Sequence, residues 1–115
     1  TRIFPIMHTV VVRRDVYERH RWCARELYEA FVRAQAVTYR DLAETAAHKA
    51  MLPWLTAHVE DARRTLGADW WAYGLEPNRH VLETFLRYHH EQGLSPRRFA
   101  PEELFAPETL EAFKV

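Results

Sequence analysis

The sequence is poor in glycine, cysteine and lysine. Its three glycines, Gly67, Gly74 and Gly93, stand far apart. No glycine-rich loop can therefore cradle a phosphate. Cys23 is the only cysteine, which excludes an internal disulfide and a cysteine-based zinc site. A single thiol inside an apolar-periodic stretch reads as a buried, inert group compatible with a reducing cytoplasm. No apolar run reaches the roughly 20 residues of a membrane span, so no membrane partner is expected. Charge of one sign is not in excess either: sixteen basic residues face sixteen acidic ones. No net field draws in nucleic acid. Metalloprotease and nucleophile-elbow motifs are missing as well.

What is present is apolar and aromatic. The chain is 48% hydrophobic and 13% aromatic over 115 residues, enough for one domain with a modest core. It opens on "IFPIMHTVVV", where three consecutive valines favour an extended backbone. The near-continuous apolar run predicts a strand over about 6–12, buried on both faces. Nothing later reads as a second strand. A lone buried strand leaves its N–H and C=O groups unpaired. It must pair either with a second copy of the chain or with strands upstream. The second alternative makes the chain the C-terminal piece of a larger protein, and that is the expectation carried forward.

The rest has helical spacing. Asp15, with Glu18 three residues on, predicts a capped helix over about 15–48 that carries Trp22, Leu27, Phe31 and Val32. Pro53 starts a helix over 53–66 with Leu55, Val59, Ala62 and Leu66, stopped by Gly67. "ADWWAYG" is an aromatic loop. Pro77 starts a helix over 77–92, with Val81, Leu82, Phe85 and Leu86 on one stripe and Gly93 ending it. The tail repeats FAPE at Phe99 and Phe105, and each copy predicts a short turn, over 101–105 and 107–113. The predicted fold is mostly α, one N-terminal strand plus about five helices, forming the end of an α/β protein.

Four segments together, "IFPIMHTVVVRRDVYERH", "MLPW", "YGLEPNRHVLETFLRYHHEQGL" and "PEELFAPETLEAFK", resemble the C-terminal third of the 4,5-dihydroxyphthalate decarboxylase family. One departure is visible: Arg21 follows "YERH", where the family usually has proline. The resemblance implies a fold like type-2 periplasmic binding proteins, with two α/β lobes around a cleft joined by crossover strands. It implies a carboxy-lyase of aromatic breakdown acting on a substrate with two ring carboxylates and two phenolic hydroxyls. No organic cofactor is required for that chemistry, and none is expected. A solute-binding protein that captures an anionic small molecule for a transporter is the alternative. The enzyme would be cytoplasmic and the binding protein periplasmic. In either case the chain's partners are a small carboxylate ligand and the upstream part of its own parent. A third alternative is a helical interaction domain that dimerises through its valine-rich strand.

His8 is the first candidate catalytic residue. The resemblance places it by the crossover, and an imidazole exchanges protons near neutral pH. The competing role is a structural histidine at a strand end. Asn78 and Arg79, in the first turn of the helix after "YGLEP", are candidate substrate-binding residues. Free N–H groups and a two-pronged guanidinium favour a carboxylate there. Tyr73 is a candidate ring contact. Local capping by Asn78, pairing of Arg79 with Glu76 or Glu83, and packing of Tyr73 would serve structure alone. Trp54, Trp70 and Trp71 could stack on an aromatic ring, but packing is the commoner use. His89 and His90 are adjacent, hence about 100° apart on a helix, and do not converge on one ion. His58 with Asp61, and His80 with Glu83, lack a third ligand, so no metal site is expected.

Overall fold

The computed structural model describes residues 3–110. Four α-helices follow one another: α1 (Arg14–Arg19), α2 (Trp22–Ala43), α3 (Leu55–Leu66) and α4 (Leu75–Glu91). Two single 3-10 turns, Pro101–Leu104 and Pro107–Thr109, complete the elements. The chain divides into two compact units. One comprises the residues up to Tyr28 together with those from Tyr73 on; the other is Glu29–Ala72. No helix among the described residues is long and apolar enough to cross a membrane.

The expected N-terminal strand is absent, and with it the α/β class: the described residues form helices and no sheet. A strand exists only through its ladder of partner hydrogen bonds. β-branching at Val10, Val11 and Val12 favours extended backbone but supplies no partner, and no second extended segment pairs with it. Nor is the segment buried. Met7, Val10 and Val11 are 62%, 64% and 85% exposed. The expectation of about five helices also gives way, to four helices and two short turns.

The expected helix over 15–48 divides in two. Arg13, not Asp15, is the N-cap of α1. The Asp15 carboxylate is gripped instead by Arg13, at 2.7 and 2.5 Å, and by Arg19, at 3.1 Å. The break falls at His20, which leaves helical geometry with φ −140° and ψ 60°. A new turn starts there, the Cys23 N–H donating to the His20 carbonyl at 2.9 Å. This is the boundary marked by Arg21. The break persists without a ring to enforce it, and Arg21 serves another purpose described below.

In the first unit the buried apolar residues are Ala24 of α2, Leu75, Leu82 and Leu86 of α4, and Pro101 of the first 3-10 turn. Leu82 and Leu86 lie one turn apart on the buried stripe of α4, a helix that packs against the first 3-10 turn. Burial of a leucine contributes about 1.5–3 kcal/mol. Phe85, on the flank of that stripe, stays exposed. α4 ends in a full Schellman cap. The Leu94 N–H donates to the His89 carbonyl at 3.0 Å and the Gly93 N–H to that of His90 at 2.9 Å. Gly93 supplies the left-handed residue, φ +73°, that this cap needs.

In the second unit Val59 of α3 is the buried apolar residue. The aromatic loop is tied to α2 through Tyr39. Its ring stacks on Trp70 at 4.6 Å, and its hydroxyl donates to Asp69 at 3.1 Å while accepting from the Trp71 N–H at 3.0 Å. Trp70 is thereby used in packing. Trp54 precedes α3 in left-handed geometry, φ +62°, with its ring exposed.

Candidate functional site

Three of the sequence-selected residues gather at the start of α4. Gly74 is the N-cap, with φ +93° and ψ 167°, a conformation open essentially to glycine alone. A Cβ there would also meet the Tyr28 hydroxyl at 2.7 Å. Tyr73 enters this turn partly exposed. The Asn78 side-chain amide donates to the Gly74 carbonyl at 2.8 Å and so braces the entry from inside the helix.

Arg79 lies one residue on and is surrounded by carboxylates. Its Nη2 is 2.6 Å from Glu76 and its Nη1 is 2.6 Å from Glu102, with Glu83 at 3.8 Å. Glu76 and Glu83 come from α4 itself; Glu102 comes from the 3-10 turn packed against it. The hydrogen bonds that the guanidinium donates to Glu76, and then to Glu102, hold its pKa above its ordinary value. Glu76 is lowered in return, chiefly by Arg79. Glu102 is lowered first by a backbone N–H at the start of its own turn and then by Arg79. An incoming carboxylate must therefore displace one of these acids to reach the fork.

A shallow cavity of about 350 Å³ opens beside this cluster, lined by Arg79, Glu83, Arg98, Phe99, Pro101 and Glu102 among others. Its two arginines differ in availability. Arg79 is paired as described, while Arg98 has no ion pair among the described residues. Its neighbour Arg97 is fully engaged, forked onto Glu103 at 3.0 and 2.5 Å and lying over the Phe99 ring at 4.1 Å. Glu103 also accepts from the Ala100 N–H at 2.7 Å. These two donors, Arg97 first, push its carboxyl down to about 2. A site with one open guanidinium, an apolar floor of Phe99 and Pro101, and two carboxylates as acceptors suits a small anion that also bears donors.

Sequence reasoning passed over Arg98 and Glu102. The signal was present in the repeat. Both copies read Phe-Ala-Pro-Glu-x-Leu, at 99–104 and 105–110. Both use the glutamate after proline to hold a helix. Glu102 binds Arg79 of α4, and Glu108 accepts from the Tyr17 hydroxyl of α1 at 2.7 Å. Arg21 joins the second cluster, 3.8 Å from Glu108 and 5.5 Å from the Tyr17 ring.

His8 lies in the exposed segment that precedes α1. No hydrogen bond or ion pair among the described residues joins it to Tyr73, Asn78 or Arg79. His89 faces the Phe85 ring at 5.5 Å, and His90 lies 3.3 Å from the Ser95 carbonyl. Among the described residues no three His, Cys, Asp or Glu side chains are grouped to hold a metal ion.

No protein-family model matches the chain. It is 44% identical over 114 residues to the 4,5-dihydroxyphthalate decarboxylase of Comamonas testosteroni, an alignment that covers 99% of this chain. The chain spans about a third of that relative's length, 34%. Along nearly its whole length, this chain is thus similar to one part of a 4,5-dihydroxyphthalate decarboxylase, as its motifs imply.

Proposed function

We propose that the chain is part of a carboxy-lyase that converts 4,5-dihydroxyphthalate, or a similar aromatic dicarboxylate, to a dihydroxybenzoate in aromatic breakdown. The observation that carries this reading is the 44% identity over 114 residues to a decarboxylase of that name. The chemistry is compatible with side chains alone. Deprotonating the hydroxyl para to the departing carboxylate builds electron density at the carbon that bears it. An acid protonates that carbon, the C–C bond to the carboxylate breaks, and CO2 leaves as the ring regains aromaticity. The protein must hold the anion, supply the proton and keep water out.

In this reading His8 supplies the proton. Tyr73, Asn78 and Arg79 form the substrate-binding end of α4. Arg98 binds a substrate carboxylate directly, whereas Arg79 does so by exchanging Glu102. The test uses the full-length protein with 4,5-dihydroxyphthalate, following CO2 release in the parent and in His8→Ala and Arg98→Ala. Turnover by the parent is expected, with kcat lost in His8→Ala. Arg98→Ala should raise KM about tenfold or more, as loss of a charge-assisted contact implies. Absence of turnover on this and related ring dicarboxylates would overturn the activity. Unchanged kinetics in either variant would overturn that residue's role alone.

A further inference from the structure

Within Glu29–Ala72, helix α2 has two apolar sides, and only one of them has a partner. Val32, Gln35, Tyr39 and Leu42 recur at i, i+3, i+7 and i+10 and are at least half-buried. Tyr39 carries Trp70 and Gln35 donates to the Trp71 carbonyl at 2.5 Å, so this side faces the unit's own aromatic loop. Ala30, Phe31, Ala34, Val37 and Thr38 recur at i, i+1, i+4, i+7 and i+8, and all five are exposed. The Thr38 hydroxyl donates to the Ala34 carbonyl at 3.2 Å, which satisfies it within the helix and leaves its methyl outward. Most of the charge lies on a third side, where Arg33 is 3.7 Å from Glu29, and Asp41, paired with Lys49 at 2.8 Å, bounds the second face at its C-terminal end. A helix apolar over most of its circumference is normally buried on more than one side.

We infer that this second face is an internal docking surface, covered by the part of a decarboxylase-length parent chain that lies outside these residues. The inference rests on the proposed reading of the chain as one part of such an enzyme. Two observations select this occupant over a second copy. The aligned relative is about three times as long, so 66% of its length remains to supply a cover. The face is also small. Five residues over a little more than two turns fall far short of the roughly 800 Å² per partner of a stable association between free molecules. A segment of the same chain needs no such area, because it loses little translational and rotational freedom on docking. Alanines at 30 and 34 let another element approach closely beside Phe31.

The test compares thiol labelling at two neighbouring positions in the full-length protein, read peptide by peptide by mass spectrometry. Ala34→Cys lies on the apolar face and Arg33→Cys on the charged side. Under native conditions Ala34→Cys should react at least tenfold more slowly, with the difference vanishing in denaturant. Thr38→Cys provides the same comparison should Ala34→Cys fail to fold. Equal native rates would overturn the inference. Protection that disappears on hundredfold dilution would also overturn it, because the cover would then be a second copy. Neither readout depends on turnover, so a failed decarboxylation assay leaves this test intact.

Discussion

Gly74 is the residue on which the start of α4 depends. Its φ of +93° with extended ψ is strained for any L side chain, at about 1–3 kcal/mol. A new methyl would also lie 2.7 Å from the Tyr28 hydroxyl oxygen but 3.6 Å from the ring carbon behind it. Gly74→Ala should therefore lower the urea midpoint, and Tyr28→Phe in that background should recover the steric part while the backbone strain remains. Additivity of the two changes in a double-mutant cycle would show that the contact carries no energy. Glu103 gives a residue-scale prediction of another kind. Its carboxyl is held near 2 by Arg97 and the Ala100 N–H, below its ordinary value of about 4.3. A depressed carboxyl contributes stability above its unfolded pKa and loses it as pH falls. The tie between Arg97 and the 3-10 turn should thus weaken between about pH 4.3 and 2. Arg97→Ala removes the larger cause, so carboxyl NMR should show Glu103 titrating nearer its ordinary range.

At the scale of elements, the FAPE repeat works as a pair of clasps, one onto α4 and one onto α1. Each clasp is only partly buried, so neither the ion pair of Glu102 nor the hydrogen bond to Glu108 contributes much to global stability. The effect of each is local. Glu108 raises the Tyr17 pKa, first through its hydrogen bond. Glu108→Gln should bring Tyr17 back toward its ordinary value, and should speed amide exchange in α1 more than in α4. Equal effects on both helices would mean that the two copies do not act separately. Such clasps were only partly legible. Periodicity pointed to Leu82 and Leu86 as buried, and Gly93 to the helix end, because spacing and left-handed glycine act within a few residues. The partners of Glu102 and Glu108 lie 23 and 91 residues away in sequence, and no local rule connects them. The strand expectation failed for the same reason. Valine propensity is local, whereas a ladder needs a second segment. The break at His20 was hidden too, since Arg21 is a good helix former and no proline marks the boundary.

For the molecule as a whole, the balance of burial decides what the chain does alone. Six apolar residues are buried among those described, Ala24, Val59, Leu75, Leu82, Leu86 and Pro101. Phe4, Trp22, Phe31, Met51, Trp54 and Phe85 remain more than 40% exposed. At about 25 cal/mol per Å², such a small core offsets little of the ordering entropy of a hundred residues. The exposed apolar surface is what a larger assembly would cover. The chain produced by itself should therefore bind a hydrophobic dye, unfold with a shallow transition and release no CO2 from 4,5-dihydroxyphthalate. The full-length protein should bind little dye, unfold steeply and turn the substrate over. Dye binding and turnover separate the two ideas involved. A tightly folded, dye-silent isolated chain that is still inactive would place the missing chemistry elsewhere but remove the argument from exposed surface. An isolated chain that decarboxylates would show that His8, Arg79 and Arg98 suffice without the rest of the parent.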